Sequence, residues 1–114
     1  YKTSFYLLGW TPGTFDSHNV LFDIHGCRGP NTSRGESNLG GYCNAKVDEL
    51  TDKILVEADT AKRDAMIKEA YTITTNEFAY VPLHQQALAW GIAKNVELTQ
   101  RADNQVLLYW ATKK

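Results

Sequence analysis

Residues 44–79 read NAKVDELTDKILVEADTAKRDAMIKEAYTITTNEFA, and the spacing of their apolar side chains decides what kind of fold this chain can build. Val47, Leu50, Ile54, Leu55 and Ala58 recur at helical intervals and form one stripe. Asn44 stands just before that run, where its side-chain oxygen can accept the first free amides of a helix. Asp59 or Thr60 restarts the pattern, and Met66, Ile67, Ala70, Ile73 and Phe78 form a second inward stripe. Two helices joined by so short a polar turn predict a helical hairpin. Between the stripes, Asp48, Glu49, Asp52, Glu57, Asp64 and Glu69 interleave with Lys53, Lys62, Arg63 and Lys68, the pattern of a solvated face with local ion pairs.

On the N-terminal side, residues 16–25 predict a short helix, with Asp16 or Ser17 as cap and Val20, Leu21 and Ile24 at helical spacing. Ahead of it, residues 3–10 alternate Phe5 and Leu7 with Tyr6, Leu8 and Trp10, so both faces are apolar, as in a strand covered on both sides in an α/β layer structure. On the C-terminal side Pro82 sets a boundary, because it cannot donate to a helical or central-strand ladder. PLHQQALAWGI (82–92) reads as extended, AKNV (93–96) as a turn and QVLLYWA (105–111) as a final strand. His84 is expected to be satisfied by its neighbours, and Trp90 and Trp110 to be core residues. The predicted class is α/β, one domain over 1–114, with a helical hairpin and a mixed sheet. Two-faced apolar strands need neighbours, so the sheet is expected to be part of a larger one.

Composition excludes several classes. The 114 residues are 43% hydrophobic and 22% charged, which fits a packed domain rather than a disordered chain. Twelve Lys and Arg against thirteen Asp and Glu leave a net charge of -1, so there is no broad positive field to gather nucleic acid or anionic lipid. Glu77, His84, Gln85 and Gln86 interrupt the least basic stretch, and direct membrane insertion is not expected. No export signal stands at the start, so one would have been removed or would lie outside these residues. Cys27 and Cys43 flank RGPNTSRGESNLGGY (28–42), a loop with little apolar surface to hold it. A disulfide would order that loop and would suit an oxidising compartment; two unrelated thiols in a reducing one is the alternative. A zinc site is disfavoured, since the Cys-x-x-Cys spacing is missing.

Two stretches could carry chemistry. DSHNVLFDIH (16–25) repeats Asp-x-His, and Asp16, His18 and His25 would be the residues of a metal-dependent hydrolase. On a helix, however, seven residues separate the two histidines by about 10.5 Å, too far for one ion. No nucleophile elbow, papain-like cysteine context or phosphate loop is present, so neither an enzyme nor a cofactor is expected. In GWTPGTFDSH (9–18) a strand ends at Trp10 and breaks at Thr11, Pro12, Gly13 and Thr14. This would place an aromatic face, hydroxyls and uncovered amides at the C-terminal edge of a sheet, where open α/β folds bind ligands. A plain turn with Trp10 as a lid over the core is the alternative there, and a helical-hairpin interaction domain, with helices 45–58 and 60–79 docking a partner, is a further alternative for the chain.

Taken together, YLLGWTPGTFDSHNVLF, the GYCNAKVDEL helix start, the Asp-x-x-x-Arg helix restart, the Tyr-Val-Pro-Leu step and the closing NVELTQRADNQVLLYW resemble the C-terminal part of bacterial extracytoplasmic solute-binding proteins of family 5. The likeness extends over essentially the whole chain. It implies part of one lobe of a type II periplasmic binding protein, a C-terminal segment of a larger two-lobe molecule. Such a molecule captures a small solute or peptide in the periplasm and delivers it to an ABC permease. It also implies that Trp10, Thr11, Gly13 and Thr14 line the ligand cleft, that Asp16 starts the following helix, and that Cys27 pairs with Cys43. Ser17 stands where the family commonly has proline. Gly13 stands where peptide-binding members place the aspartate that holds the ligand's amino group, so that charge-assisted anchor is missing here.

Overall fold

The structure is a computed structural model that describes residues 5–114. The chain divides into two compact units, Tyr1–Pro82 and Leu83–Lys114. The first holds the helices. Asp16 caps α1 (Ser17–Val20) by accepting the His18 amide at 2.8 Å, and the helix continues as a wider π-helical turn, Leu21–His25. Asn44 caps α2 (Ala45–Val56) through the Lys46 and Val47 amides, and Asp59 caps α3 (Thr60–Asn76) through the Lys62 amide. All three caps satisfy first-turn amides that a helix leaves without partners.

The predicted hairpin is present, and its stripes meet. Leu21 from the π-turn, Val47, Leu50 and Ile54 from α2 and Ala70 from α3 make the core, with Met66, Ile67, Tyr71 and Ile73 packed against it. Burying a side chain such as Leu21 or Ile54 completely is worth about 2 kcal/mol. The stripes fray at their ends: Leu55 is exposed, and Phe78 lies beyond the end of α3, where the backbone turns through φ 52° and leaves the ring outside.

The disulfide between Cys27 and Cys43 closes the loop ahead of α2. Within it, the fully buried Asn38 replaces the missing apolar packing. Its amide donates to Gly26 O at 2.9 Å and Tyr42 O at 2.6 Å, and its oxygen accepts from the Gly41 amide and the Tyr80 hydroxyl. Arg34 pins the loop to α2, bonding Asp48 and Asp52 while its guanidinium lies 5.2 Å from the centre of the Phe22 ring.

The sheet differs from expectation. Among the described residues it is a two-stranded antiparallel ribbon in the second unit, β1 (Val96–Glu97) with β2 (Thr112–Lys113), rather than a mixed sheet. Residues 3 and 4 of the first expected strand lie outside the described residues; residues 5–10 and 82–93 form no ladder, and Leu108–Trp110 is a single 3-10 turn. A strand exists only where a neighbouring chain takes its amides and carbonyls in a ladder, and among the described residues 6–10 and 82–93 take part in none. Several of their apolar side chains are exposed, Phe5 94% and Leu108 77%. His84 is exposed as well. Trp90 and Trp110 are not core residues: Trp90 donates to Asn104 at 2.8 Å, and Trp110 is 44% exposed beneath the guanidinium of Arg101.

Gly35 has φ 67°, and a Cβ there would lie 2.4 Å from Gly26 O. Gly35→Ala should therefore lower unfolding free energy by about 2 kcal/mol or more in urea titration; an unchanged midpoint would contradict this packing of the loop.

Candidate functional site

The N-terminal stretch is built on one arginine. Arg63, in the first turn of α3, donates through Nη2 to both carboxylate oxygens of Asp16, at 2.8 and 2.9 Å. Its Nε donates to Ile54 O at 3.1 Å, one of the carbonyls that the end of α2 leaves unbonded. A single side chain thus joins the start of α1 to both arms of the hairpin. The guanidinium of Arg63, helped by the His18 amide, holds the Asp16 carboxyl below the ordinary carboxylate range. Asp16 is accordingly an anion already in use as a cap and an ion-pair partner.

From that anchored point the chain runs back toward Trp10. The Asp16 amide donates to Thr14 Oγ1 at 3.3 Å, and the Gly13 amide donates to Asn19 Oδ1 at 2.9 Å. Phe15 lies between them in the left-handed region, φ 55°, with 62% of its surface exposed. Trp10 is half-buried, and Thr11, Gly13 and Thr14 are exposed. The expectation that amides near Gly13 are uncovered is corrected at one atom, since the Gly13 N–H is taken by Asn19. The Thr14 Oγ1 is likewise engaged, as acceptor from the Asp16 amide, while the Thr11 and Thr14 residues as a whole stay exposed. A Cβ on Gly13 would meet nothing closer than Asn19 Oδ1 at 4.0 Å, so the position has room for a side chain. A shallow hollow of about 450 Å³ lies elsewhere, along α3 between Lys68, Tyr71, Thr72, Thr75 and Asn76, and contains none of these residues.

The alternative constellation is not assembled. Asp16 is held by Arg63, His18 stacks on Phe22 at 5.6 Å, and His25 is enclosed by tyrosine rings. Among the described residues no three His, Cys, Asp or Glu side chains come together as a metal site would need. The solvated-face reading of the helices is also corrected in part. Lys53 pairs with Glu49 one turn away as the spacing predicts, but Asp48 and Asp52 receive Arg34 from the loop, and Arg63 reaches 47 residues back to Asp16. Spacing could not reveal these long-range pairs. The one sequence signal that marked Arg63 was the Asp-x-x-x-Arg helix restart.

No family model matches the chain, and no solved structure matches it. It is similar to uncharacterized lipoproteins from Mycobacterium bovis and from two strains of Mycobacterium tuberculosis, each 32% identical over 65 residues. The matched segment is 57% of this chain and 10% of each relative, so the similarity concerns a small part of much longer proteins. A closed disulfide and lipoprotein relatives both fit an extracytoplasmic location. The disulfide spans 16 positions, which in the chain-entropy model contributes about 3 kcal/mol. Reducing agent should therefore lower the urea midpoint of the chain markedly, and a Cys27→Ser, Cys43→Ser variant should match the reduced protein; a midpoint indifferent to reductant would show that Asn38 and Arg34 hold the loop without it.

Proposed function

We propose that this chain is the C-terminal portion of a periplasmic solute-binding component of an ABC importer, a non-enzymatic protein that captures a small solute and presents it to a membrane permease. The observation that carries this reading is the stretch of residues 10–14. It combines a half-buried tryptophan with exposed threonines, held at a fixed place on the hairpin through Asp16 and Arg63. Trp10 supplies stacking or apolar contact, while Thr11 and Thr14 orient polar groups of the solute.

Three further features support it. The sequence resembles family 5 binding proteins along its length. Among the described residues, 6–8, 83–92 and 106–110 form no ladder and carry exposed apolar side chains, as expected of segments that join a sheet completed by a longer polypeptide, and the relatives are about ten times the matched length. The closed disulfide and the lipoprotein relatives favour an exported protein. Gly13 in place of a carboxylate favours a solute other than a peptide with a free amino group, because a buried ammonium needs an anionic partner.

The test uses the full-length protein purified from its own cell envelope. Native mass spectrometry should find a retained small molecule, and Trp10→Ala should lose it with a drop in affinity of roughly tenfold or more. Gly13→Asp, which the open space permits, should weaken the native solute and gain affinity for amino-terminated dipeptides. Retention unaffected by either substitution would remove residues 10–14 from the site.

A further inference from the structure

His25 is a buried titratable residue for which binding at residues 10–14 has no use. It closes the π-helical turn, is 8% exposed, and its ring is surrounded by three tyrosines. Tyr80 stacks on it with centroids 5.3 Å apart, and Tyr71 and Tyr42 meet it edge-on at 6.0 and 6.4 Å. Each ring comes from a different segment: Tyr42 from the end of the disulfide loop, Tyr71 from α3, and Tyr80 from the chain after α3. The Nδ1 atom of His25 is buried without a hydrogen-bond partner among the described residues. A ring proton added there would have no acceptor.

The cage also holds the loop in place. The Tyr42 hydroxyl bonds Glu77 at 2.5 Å, and the Tyr80 hydroxyl donates to Asn38 Oδ1 while accepting from Tyr6 at 3.1 Å. Four carboxylates on or beside the surrounding elements are engaged elsewhere. On α2, Asp48 takes Arg34 and the Cys27 backbone amide; on the π-turn, Asp23 accepts from the Asn19 side-chain Nδ2; after α3, Glu77 takes Tyr42 and Asn44; and ahead of α1, Asp16 takes Arg63. None of them serves as a counter-ion for an imidazolium.

We propose that His25 is a pH-sensitive latch: neutral, it seals Tyr42, Tyr71 and Tyr80 into one packed unit, and on gaining a proton it leaves the cage and frees the disulfide loop together with the segment around Tyr80. Burial lowers its pKa from the ordinary 6.5 to about 4. The sign follows from that depression. The open form binds the proton more readily, so the closed form is fully favoured above pH 6.5 and loses ground as pH falls toward 4. The open-to-closed ratio should rise by up to tenfold per pH unit within that window, approaching roughly 300-fold only once pH is below 4. Glu77 and Asp16 are both held below their ordinary carboxylate values, so neither accounts for a change that begins near pH 6.5.

The experiment is amide hydrogen exchange of the chain from pH 7 to 4.5, corrected for the intrinsic rate. It is read at Gly41, whose N–H is bonded to Asn38. The opening constant should climb by up to about tenfold per unit below pH 6.5 in the native chain and stay flat in His25→Phe, which keeps a ring but cannot take a proton. A flat native profile, or a parallel rise in His25→Phe, would overturn the latch. Should His25→Phe fail to fold, NMR of the native chain still decides. His25 and Tyr80 ring signals must shift together with one midpoint, and a Tyr80 signal that stays fixed while His25 titrates contradicts the proposal.

Discussion

The bond set made by Arg63 is the constraint on which the arrangement of the first unit depends. Its guanidinium touches the N-cap of α1 and the open end of α2 while its own backbone belongs to the first turn of α3. The apolar contacts of Leu21, Val47, Leu50, Ile54 and Ala70 supply most of the stabilisation, but they are non-directional and would tolerate a small slide of α1 along the hairpin. A forked cation with fixed donor directions does not tolerate it. Asp16 therefore has one position relative to the hairpin. Residues 10–14, which are tied to Asp16 and Asn19 by the Thr14 hydroxyl and the Gly13 amide, inherit it.

The disulfide loop solves a different problem with different means. Its sequence offers almost no apolar side chain, so packing cannot order it, and one covalent and two polar devices do so instead. The Cys27–Cys43 bond shortens the free chain, Asn38 satisfies carbonyls and an amide from inside, and Arg34 fastens the outside to Asp48 and Asp52. Gly26 and Gly35 allow the close approach: a side chain on Gly26 would run into Arg34 and the Phe22 carbonyl. The loop leans in turn on the tyrosines around His25, so the part of the molecule poorest in apolar residues depends on a cluster of aromatic ones.

What could be read from the sequence follows the range of the forces involved. Helices and caps are local, and Asn44, Asp16 and the stripe of Val47, Leu50 and Ile54 were legible because 3.6-residue spacing and one side-chain oxygen are sufficient to specify them. The expected strands at 3–10, 82–92 and 105–111 were read from apolar alternation, which reports a demand for cover but not its source. Among the described residues that cover is not present, and Phe5, Leu83 and Leu108 stay exposed. Tyr42, Tyr71 and Tyr80 look like three unrelated aromatics along the chain, and only the fold makes them one enclosure around His25. Trp10 and Thr14 stand out in the sequence as a turn after an apolar run. The support of that stretch by Arg63 does not, because a partner 47 positions away leaves no local spacing.

The dependence of residues 10–14 on the Asp16–Arg63 pair can be measured by a double-mutant cycle. Asp16→Asn keeps a capping side chain but removes its charge, and Arg63→Met keeps much of the stem but removes the fork. Amide exchange at Gly13 and His18 is the readout, since both N–H groups are bonded within the anchored stretch. Each single variant should raise exchange roughly fivefold, and the double variant should be no worse than either, which corresponds to a coupling of about 1 kcal/mol for a partly exposed pair. Additive effects, or no change at Gly13 in either single variant, would show that the stretch is held without the ion pair.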